Sequence, residues 1–192
     1  MTSPMPPSSP RLPTLAAADY TPEQQAAAAA FEAARGTPVF GPFEPLMHSP
    51  RLMSLVRATG DYLRYHSALG TRLSELAILV TAREWSQDYE WHVHHPIALQ
   101  QGVAPAVAEA IAQGRRPEGL SEDEQIVYDF SIELHRLRRV SDVSFARAEQ
   151  RFGKQGVVDL TGINGYYALL AAQLNVARYP LPAGGQPLPR LP

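Results

Sequence analysis

Proline is concentrated at the two ends of this chain of 192 residues, and that distribution constrains the fold more than any other feature. Ten of the 18 prolines lie in residues 1–20 and 179–192. Segments of this kind favour extended, solvated chain and do not form a packed core. We therefore predict an N-terminal tail at 1–20, one folded domain at 21–178 and a C-terminal tail at 179–192. The tails are either loose or lie as arms across a neighbouring subunit.

Helix start and stop signals follow one another between the tails. Thr21 can cap a helix that has Pro22 at its first position and ends at Gly36. Pro and Gly then predict a loop at 37–48. Further helices are predicted at 49–69, 72–85, 88–101, 105–114, 121–137, 142–152 and 155–178. No alternating strand pattern of useful length occurs, so the predicted fold is all-α, a single-domain bundle of about eight helices.

The last predicted helix, 155–178, is apolar on most of its faces. A helix of this kind lies at the centre of a fold or is covered by another subunit.

Composition narrows the classes of function. Hydrophobic residues make up 45% of the chain and charged residues 19%, which is typical of a globular protein. The net charge is −2 without a long basic or acidic run, which argues against nucleic acid and anionic membranes as partners. No apolar stretch is long enough to span a membrane, and the N-terminus lacks a basic region followed by an apolar one, so we expect a cytoplasmic protein. Cysteine is absent, which excludes disulfides, thiolate nucleophiles and thiolate metal sites.

Acid–base residues lie within and beside an apolar run between Glu75 and His94. Glu90 and His94 are four residues apart, so on a helix their side chains lie on one face. Glu75 opens the preceding helix, and a short turn at 86–88 predicts an antiparallel hairpin in which Glu75 and His94 face each other. A carboxylate bonded to one imidazole nitrogen would fix the tautomer and leave the other nitrogen free for proton transfer.

Other readings of these residues remain open. A Glu–His pair at this spacing is often only a helix-stabilising contact. A metal site would need Glu75, Glu90 and His94 to meet at one ion, and we favour a metal-free acid–base pair over it. On a helix His92 points away from His94 and His95 lies about 100° round from it, so the three histidines do not converge on one metal.

Several neighbours are candidates for binding a substrate. Arg83 lies two turns after Glu75 and either holds a substrate carboxylate or forms a salt bridge. Tyr89 and Trp91 lie near the turn and either pack in the core or wall a small pocket.

The spacing of these residues resembles the carboxymuconolactone decarboxylase-like family, which includes the alkyl hydroperoxidase D proteins. The similarity runs from about Ser49 to Ile111. The family pattern is a Glu, then Cys-x-x-Cys, then three residues and a His, on two consecutive helices. This chain keeps Glu75 and His94, while Gln87 and Glu90 occupy the two cysteine positions.

The resemblance implies an all-α fold, a homo-oligomer that is commonly a trimer or hexamer, and a site near subunit contacts. Thiol peroxidase activity in the family needs both cysteines, so it is not expected here. What remains is similar to the cysteine-free decarboxylase branch, in which an unsaturated lactone loses carbon dioxide without a metal or organic cofactor. In this chain His94 would donate the proton, and Glu75 or Glu90 would orient the His94 imidazole. The substrate would be contacted by Arg83, Gln87, Tyr89 and Trp91. The second expectation is a non-catalytic ligand-binding or scaffold oligomer.

Overall fold

The fold is entirely helical in the computed structural model, which describes residues 9–191. After a 3-10 turn at Ala17–Asp19, the helices are α1 (Pro22–Arg35), α2 (Phe43–Leu46), α3 (Pro50–Tyr65), α4 (Thr71–Glu84), α5 (Asp88–Gln100), α6 (Pro105–Ala112), α7 (Glu122–Leu137) and α8 (Asp142–Ala177). Within these residues there is no strand, so the prediction of an all-α fold is confirmed.

The helix ends follow from local chemistry. Thr21 and Ser121 form capping boxes with Gln24 and Glu124, which satisfy backbone N–H groups at the starts of α1 and α7. The loop predicted at 37–48 contains the short helix α2. Two helices predicted at 142–152 and 155–178 form one run, α8, with a kink at Gly153, whose φ of 71° and ψ of 176° are not helical.

Helix α4 lies at the centre of the domain. Its residues 73–83 are all buried, because α5, α7 and α8 pack around it. The apolar side chains in this run form the core with those of the surrounding helices. Polar side chains on α4 are therefore buried as well, and each must find a partner on a neighbouring element.

Helix α8 buries one of its faces in the core and leaves apolar residues on the other face exposed. Leu160, Ile163, Leu170 and Leu174 are buried, while Val158 and Val176 remain exposed. The helix was expected to be central or covered by another subunit. Packing within the chain covers part of its apolar surface and leaves the rest exposed.

The described parts of both tails lie against the helices of their own chain. The backbone N–H of Arg11 donates to the carbonyl of Ala177 at 2.7 Å. Leu188 is 2% exposed, and its N–H donates to Asp88 Oδ1 at 2.9 Å. Residues 1–8 of the predicted N-terminal tail and residue 192 lie outside the described residues. None of the described helices is both long and apolar enough to cross a membrane.

Candidate active site

Glu75 and His94 form a hydrogen-bonded pair between α4 and α5. Glu75 Oε2 lies 2.7 Å from His94 Nδ1, and the two residues are 1% and 5% exposed. The pair forms because the turn at 85–87 brings the two helices together, helped by a positive φ at Ser86 and a bond from the Gln87 N–H to the Ala82 carbonyl. A carboxylate only accepts hydrogen bonds, so in this pair the Nδ1–H group of His94 donates the hydrogen bond and Glu75 Oε2 accepts it.

Glu90 lies on the other side of the same imidazole. Its Oε2 is 3.5 Å from His94 Nε2, one helical turn away along α5. Glu90 is 3% exposed, and its Oε1 has no hydrogen-bond partner among residues 9–191. Burial raises the pKa of the Glu90 carboxyl to about 6, although His94 and Arg64 oppose the rise. The imidazole therefore lies between a carboxylate that orients it and a carboxyl group able to hold or release a proton near neutral pH.

A cavity of about 40 Å³ opens beside Glu90 and His94. It has room for about three water molecules. Its walls come from α1, α3, α5, α8 and the segment around α2, and they are formed by Arg35, Phe40, Pro42, Phe43, Arg64, Tyr89, Glu90, Val93, His94, Tyr166, Tyr167 and Leu170.

Aromatic side chains fix the shape of this cavity. The Tyr167 ring meets the His94 ring edge to face, with centroids 5.0 Å apart, and Tyr166 packs on Tyr167 in the same way. Burial raises the pKa of both tyrosine hydroxyls, so both remain protonated donors. Helix α3 approaches Tyr166 closely at Gly60, where any Cβ would overlap the Tyr166 hydroxyl.

Two arginines bring positive charge to the cavity. Arg35 is occupied, since its Nε and Nη2 donate to Asp61 Oδ1 at 3.1 and 2.7 Å. Arg64 Nη2 lies 3.9 Å from Glu75 Oε1, which is too long for a hydrogen bond. Neither arginine was predicted from the sequence, because nothing in the local pattern of α1 or α3 indicates that these helices face α5.

The predicted substrate-binding residues occupy different places. Tyr89 lines the cavity. Gln87 caps α5 instead, accepting from the N–H groups of Tyr89 and Glu90 at 2.6 and 3.3 Å and donating to Asn175 Oδ1 at 2.9 Å. Trp91 stacks on His95 with centroids 5.5 Å apart and is not part of the cavity wall.

Arg83 also lies outside the cavity wall. Its guanidinium donates to the carbonyls of Ala112 and Pro189 at 3.1 and 2.7 Å, and to Ser86 Oγ at 2.8 Å. The structure thus places Arg83 under the C-terminal tail, and it assigns the cationic side of the cavity to α1 and α3.

The three acid–base residues are arranged in a line. Glu75 and Glu90 face different nitrogens of the His94 ring, so the three side chains do not present ligands to one point. No group of three or more His, Asp or Glu suited to a metal ion occurs within residues 9–191. His92 is exposed and His95 is half-buried.

No protein-family model matches the chain, and no curated protein does. Solved structures do match. An uncharacterized peroxidase-related protein from Silicibacter sp. TM1040 is 16% identical, with a TM-score of 0.71 and 93% of each chain covered. An uncharacterized peroxidase-related protein from Ralstonia eutropha JMP134, described as an alkylhydroperoxidase AhpD core, is 17% identical, with a TM-score of 0.70 and coverage of 96% of this chain and 94% of that one.

A protein of unknown function from Agrobacterium tumefaciens is 16% identical, with a TM-score of 0.64 and coverage of 71% of this chain and 94% of that one. The chain therefore has the alkylhydroperoxidase D-like fold, without the cysteines. The fold expected from the spacing of Glu75, Gln87, Glu90 and His94 is confirmed.

Proposed function

We propose that this protein is a cofactor-free acid–base enzyme that moves protons on a small unsaturated lactone or carboxylate. The observation that carries the proposal is the line of Glu75, His94 and Glu90 beside a cavity. Glu75 holds the imidazole in one tautomer, so Nε2 is free to accept or deliver a proton. Glu90 places a carboxyl group on that side, and burial raises its pKa to about 6. Groups that titrate close to neutral pH are the most effective general acids and bases.

The finer form of the proposal is a carboxy-lyase of the carboxymuconolactone decarboxylase type. In that reaction the bond between the ring carbon and the carboxylate carbon breaks, and its electron pair moves into the conjugated lactone carbonyl as a dienolate. A proton that His94 Nε2 has taken from water, or that Glu90 holds, then passes to the ring carbon. Tyrosine hydroxyls and arginines in the cavity wall support this chemistry, because they are donors that can stabilise negative charge as it develops.

Thiol peroxidase activity is not part of the proposal. Two of the proteins with this fold are described as peroxidase-related. This chain has no cysteine, and Gln87 and Glu90 stand at the two positions of the dithiol motif. Without thiols there is no group to reduce a peroxide and form a disulfide.

A non-catalytic ligand-binding or scaffold oligomer is the second candidate, and the small size of the cavity favours it. About 40 Å³ holds water but not a five-membered ring with a carboxylate. A substrate must therefore displace part of the wall. Phe40, which is 41% exposed, lies in the loop before α2 and is the most accessible part of that wall.

Turnover in deuterium oxide separates the two candidates. Wild-type protein is incubated with a panel of butenolide carboxylates, and NMR follows both deuterium incorporation at carbon and release of carbon dioxide. The enzyme hypothesis predicts turnover by the wild type and a loss of about a hundredfold or more in His94→Gln, since a positioned general acid or base contributes roughly that factor.

His92→Gln is the matched control, because His92 lies on the same helix and is exposed. It is expected to keep wild-type rates and helicity. Equal rates for His94→Gln and wild type would contradict the proposal, and so would a wild type that is inert on every member of the panel while binding some of them.

We also propose that the protein forms a homo-oligomer. Several large apolar side chains on α3 and α8 are exposed in the single chain, among them Leu55 at 62%, Tyr65 at 64% and Val158 at 68%. Exposed apolar residues on neighbouring helices are a common feature of protein interfaces. Sedimentation velocity tests this, and a monomer at micromolar concentration would contradict it.

A further inference from the structure

Arg64 is the cation at the cavity that lacks a close anionic partner. Its guanidinium makes no hydrogen bond within residues 9–191, and the nearest carboxylate oxygen is 3.9 Å away on Glu75. The second cation, Arg35, is bound to Asp61. Arg64 lines both the inner cavity and the adjoining surface groove that contains Phe40 and Tyr65. With 24% of its side chain exposed, it lies at the mouth of the site.

We propose that the substrate carries a single carboxylate, which binds Arg64 as an anchor and does not itself react. A guanidinium with free N–H groups at the mouth of a cavity is well suited to a carboxylate, which it can bind through two parallel hydrogen bonds. This inference rests on the proposed acid–base function, because it names the substrate class of the same site, and it replaces the carboxy-lyase form with proton transfer.

The charges deeper in the site exclude a second carboxylate. A ligand that displaces Phe40 and is anchored on Arg64 extends toward Glu90 and His94, because these residues line the same small cavity. Glu90 lines this cavity, and Glu75 lies behind it against the Nδ1 side of His94; both carboxyl groups are buried. Another carboxylate beside them would add a like charge in a poorly solvated place, which is strongly unfavourable. A monoanion with a neutral ring or chain avoids this cost.

An anchored carboxylate also selects the reaction. Loss of carbon dioxide requires the carboxylate to give up its charge, and an ion pair with Arg64 stabilises the charged ground state. The inference therefore favours proton transfer over decarboxylation. A C–H bond next to the conjugated carbonyl breaks, its proton passes to His94 Nε2 or to ionised Glu90, and the electron pair enters the carbonyl as a dienolate. The same proton then forms a C–H bond at the far end of the conjugated system, which gives a double-bond isomer without any co-reactant.

The test measures binding of unreactive probes and needs no turnover. Furoate is the monoanionic probe, furamide its neutral analogue and furandicarboxylate its dianionic analogue. Titration calorimetry on the full chain is expected to show that furoate binds more tightly than both others. Arg64→Gln is expected to weaken the affinity for furoate by about tenfold or more, since charge-assisted hydrogen bonds contribute roughly that factor. The affinity for furamide, which carries no charge, is expected to stay within about twofold of the wild-type value.

Three further variants complete the design. Arg64→Lys keeps the charge and is expected to restore part of the furoate affinity, which separates charge from folding. Glu90→Gln removes one buried carboxylate, so the affinity for furandicarboxylate is expected to rise relative to the affinity for furoate. Arg51→Gln is the control, because Arg51 is exposed on the same helix and does not line the cavity.

Unchanged furoate affinity in Arg64→Gln would overturn the inference, as would tighter binding of furandicarboxylate than of furoate to the wild type, or no furoate binding at all. These outcomes are distinct from failure of the proposed function, which is judged by the turnover of His94→Gln. A protein whose His94 is essential for turnover but whose Arg64 is irrelevant to furoate keeps its acid–base chemistry and loses only the assigned substrate class.

Discussion

Glu90 shows how a residue at a motif position acquires its chemistry from its surroundings. It occupies one of the two cysteine positions in the family pattern that the sequence resembles, and its carboxyl group lies against the His94 imidazole. Burial without a partner for Oε1 makes the charged form costly. The same burial brings its pKa to about 6, where it can exchange protons with His94. The burial that raises the pKa of Glu90 therefore also lowers the stability of the folded chain at alkaline pH.

Glu90→Gln is expected to stabilise the protein at alkaline pH. The pKa of Glu90 is raised from 4.5 to about 6 in the folded chain. Below the ordinary pKa both states hold the proton and no stability is lost. As the pH rises, the unfolded chain ionises first, so the stability of the wild type falls until the pH passes the folded pKa. The wild type loses about 2 kcal/mol of unfolding free energy in total. The Glu90→Gln variant has no ionisable group at this position and does not lose it.

Urea denaturation at about pH 4 and about pH 8 measures this effect. The difference in unfolding free energy between Glu90→Gln and wild type is expected to grow by about 2 kcal/mol over that range. Glu23→Gln serves as the control, because Glu23 is exposed in the first turn of α1. A difference that is the same at both pH values would contradict the raised pKa.

At the scale of the element, α4 explains how polar groups are accommodated in the core. The buried polar residues on this helix form hydrogen bonds with different neighbouring elements. Glu75 bonds to His94 on α5, and Arg83 donates to carbonyls at the end of α6 and in the C-terminal tail. Thr81 Oγ1 lies 2.9 Å from His135 Nε2 on α7, and that nitrogen is 3.0 Å from Asn164 Oδ1 on α8. These contacts fix the rotation of α4 against its neighbours.

Removing one member of the second cluster is expected to destabilise the bundle. Asn164 is fully buried, and its Nδ2 also donates to the Leu160 carbonyl at 2.9 Å. Asn164→Ala leaves His135 without its carboxamide partner and is expected to cost about 1–3 kcal/mol of unfolding free energy. Chemical denaturation measures it, with Lys154→Ala, an exposed change on the same helix, as the control. A cost no larger than that of the control would show that the cluster is not needed for stability.

At the scale of the whole molecule, the C-terminal tail acts as part of the core. Leu188 is buried, Arg190 forms an ion pair with Asp88 at 2.6 Å, and the Pro189 carbonyl accepts from Arg83. The tail has few apolar residues, so its attachment depends on one buried leucine and on polar groups of α4 and α5. It therefore contacts both helices that carry Glu75 and His94 without lining the cavity.

Leu188→Ala is expected to lower the unfolding free energy by about 2 kcal/mol, the cost of losing one buried leucine side chain. Gln186→Ala, an exposed change in the same tail, is the control. Guanidinium denaturation gives the values, and limited proteolysis reports release of the tail as faster cleavage near residue 186. A Leu188→Ala protein as stable and as protease-resistant as the control would mean that the tail contributes nothing to the fold.

The sequence by itself determined the helices, their approximate ends and the pairing of Glu75 with His94. Caps, glycines and prolines act on neighbouring residues, and the turn between α4 and α5 is too short to allow many arrangements. Only the tertiary structure decided which residues complete the site. Arg64 and Tyr166 come from helices distant in the chain, whereas Gln87, Trp91 and Arg83, which are close in sequence, turn toward other partners. The rotation of each helix about its axis is set by packing against the whole bundle, so it cannot be predicted from the local sequence.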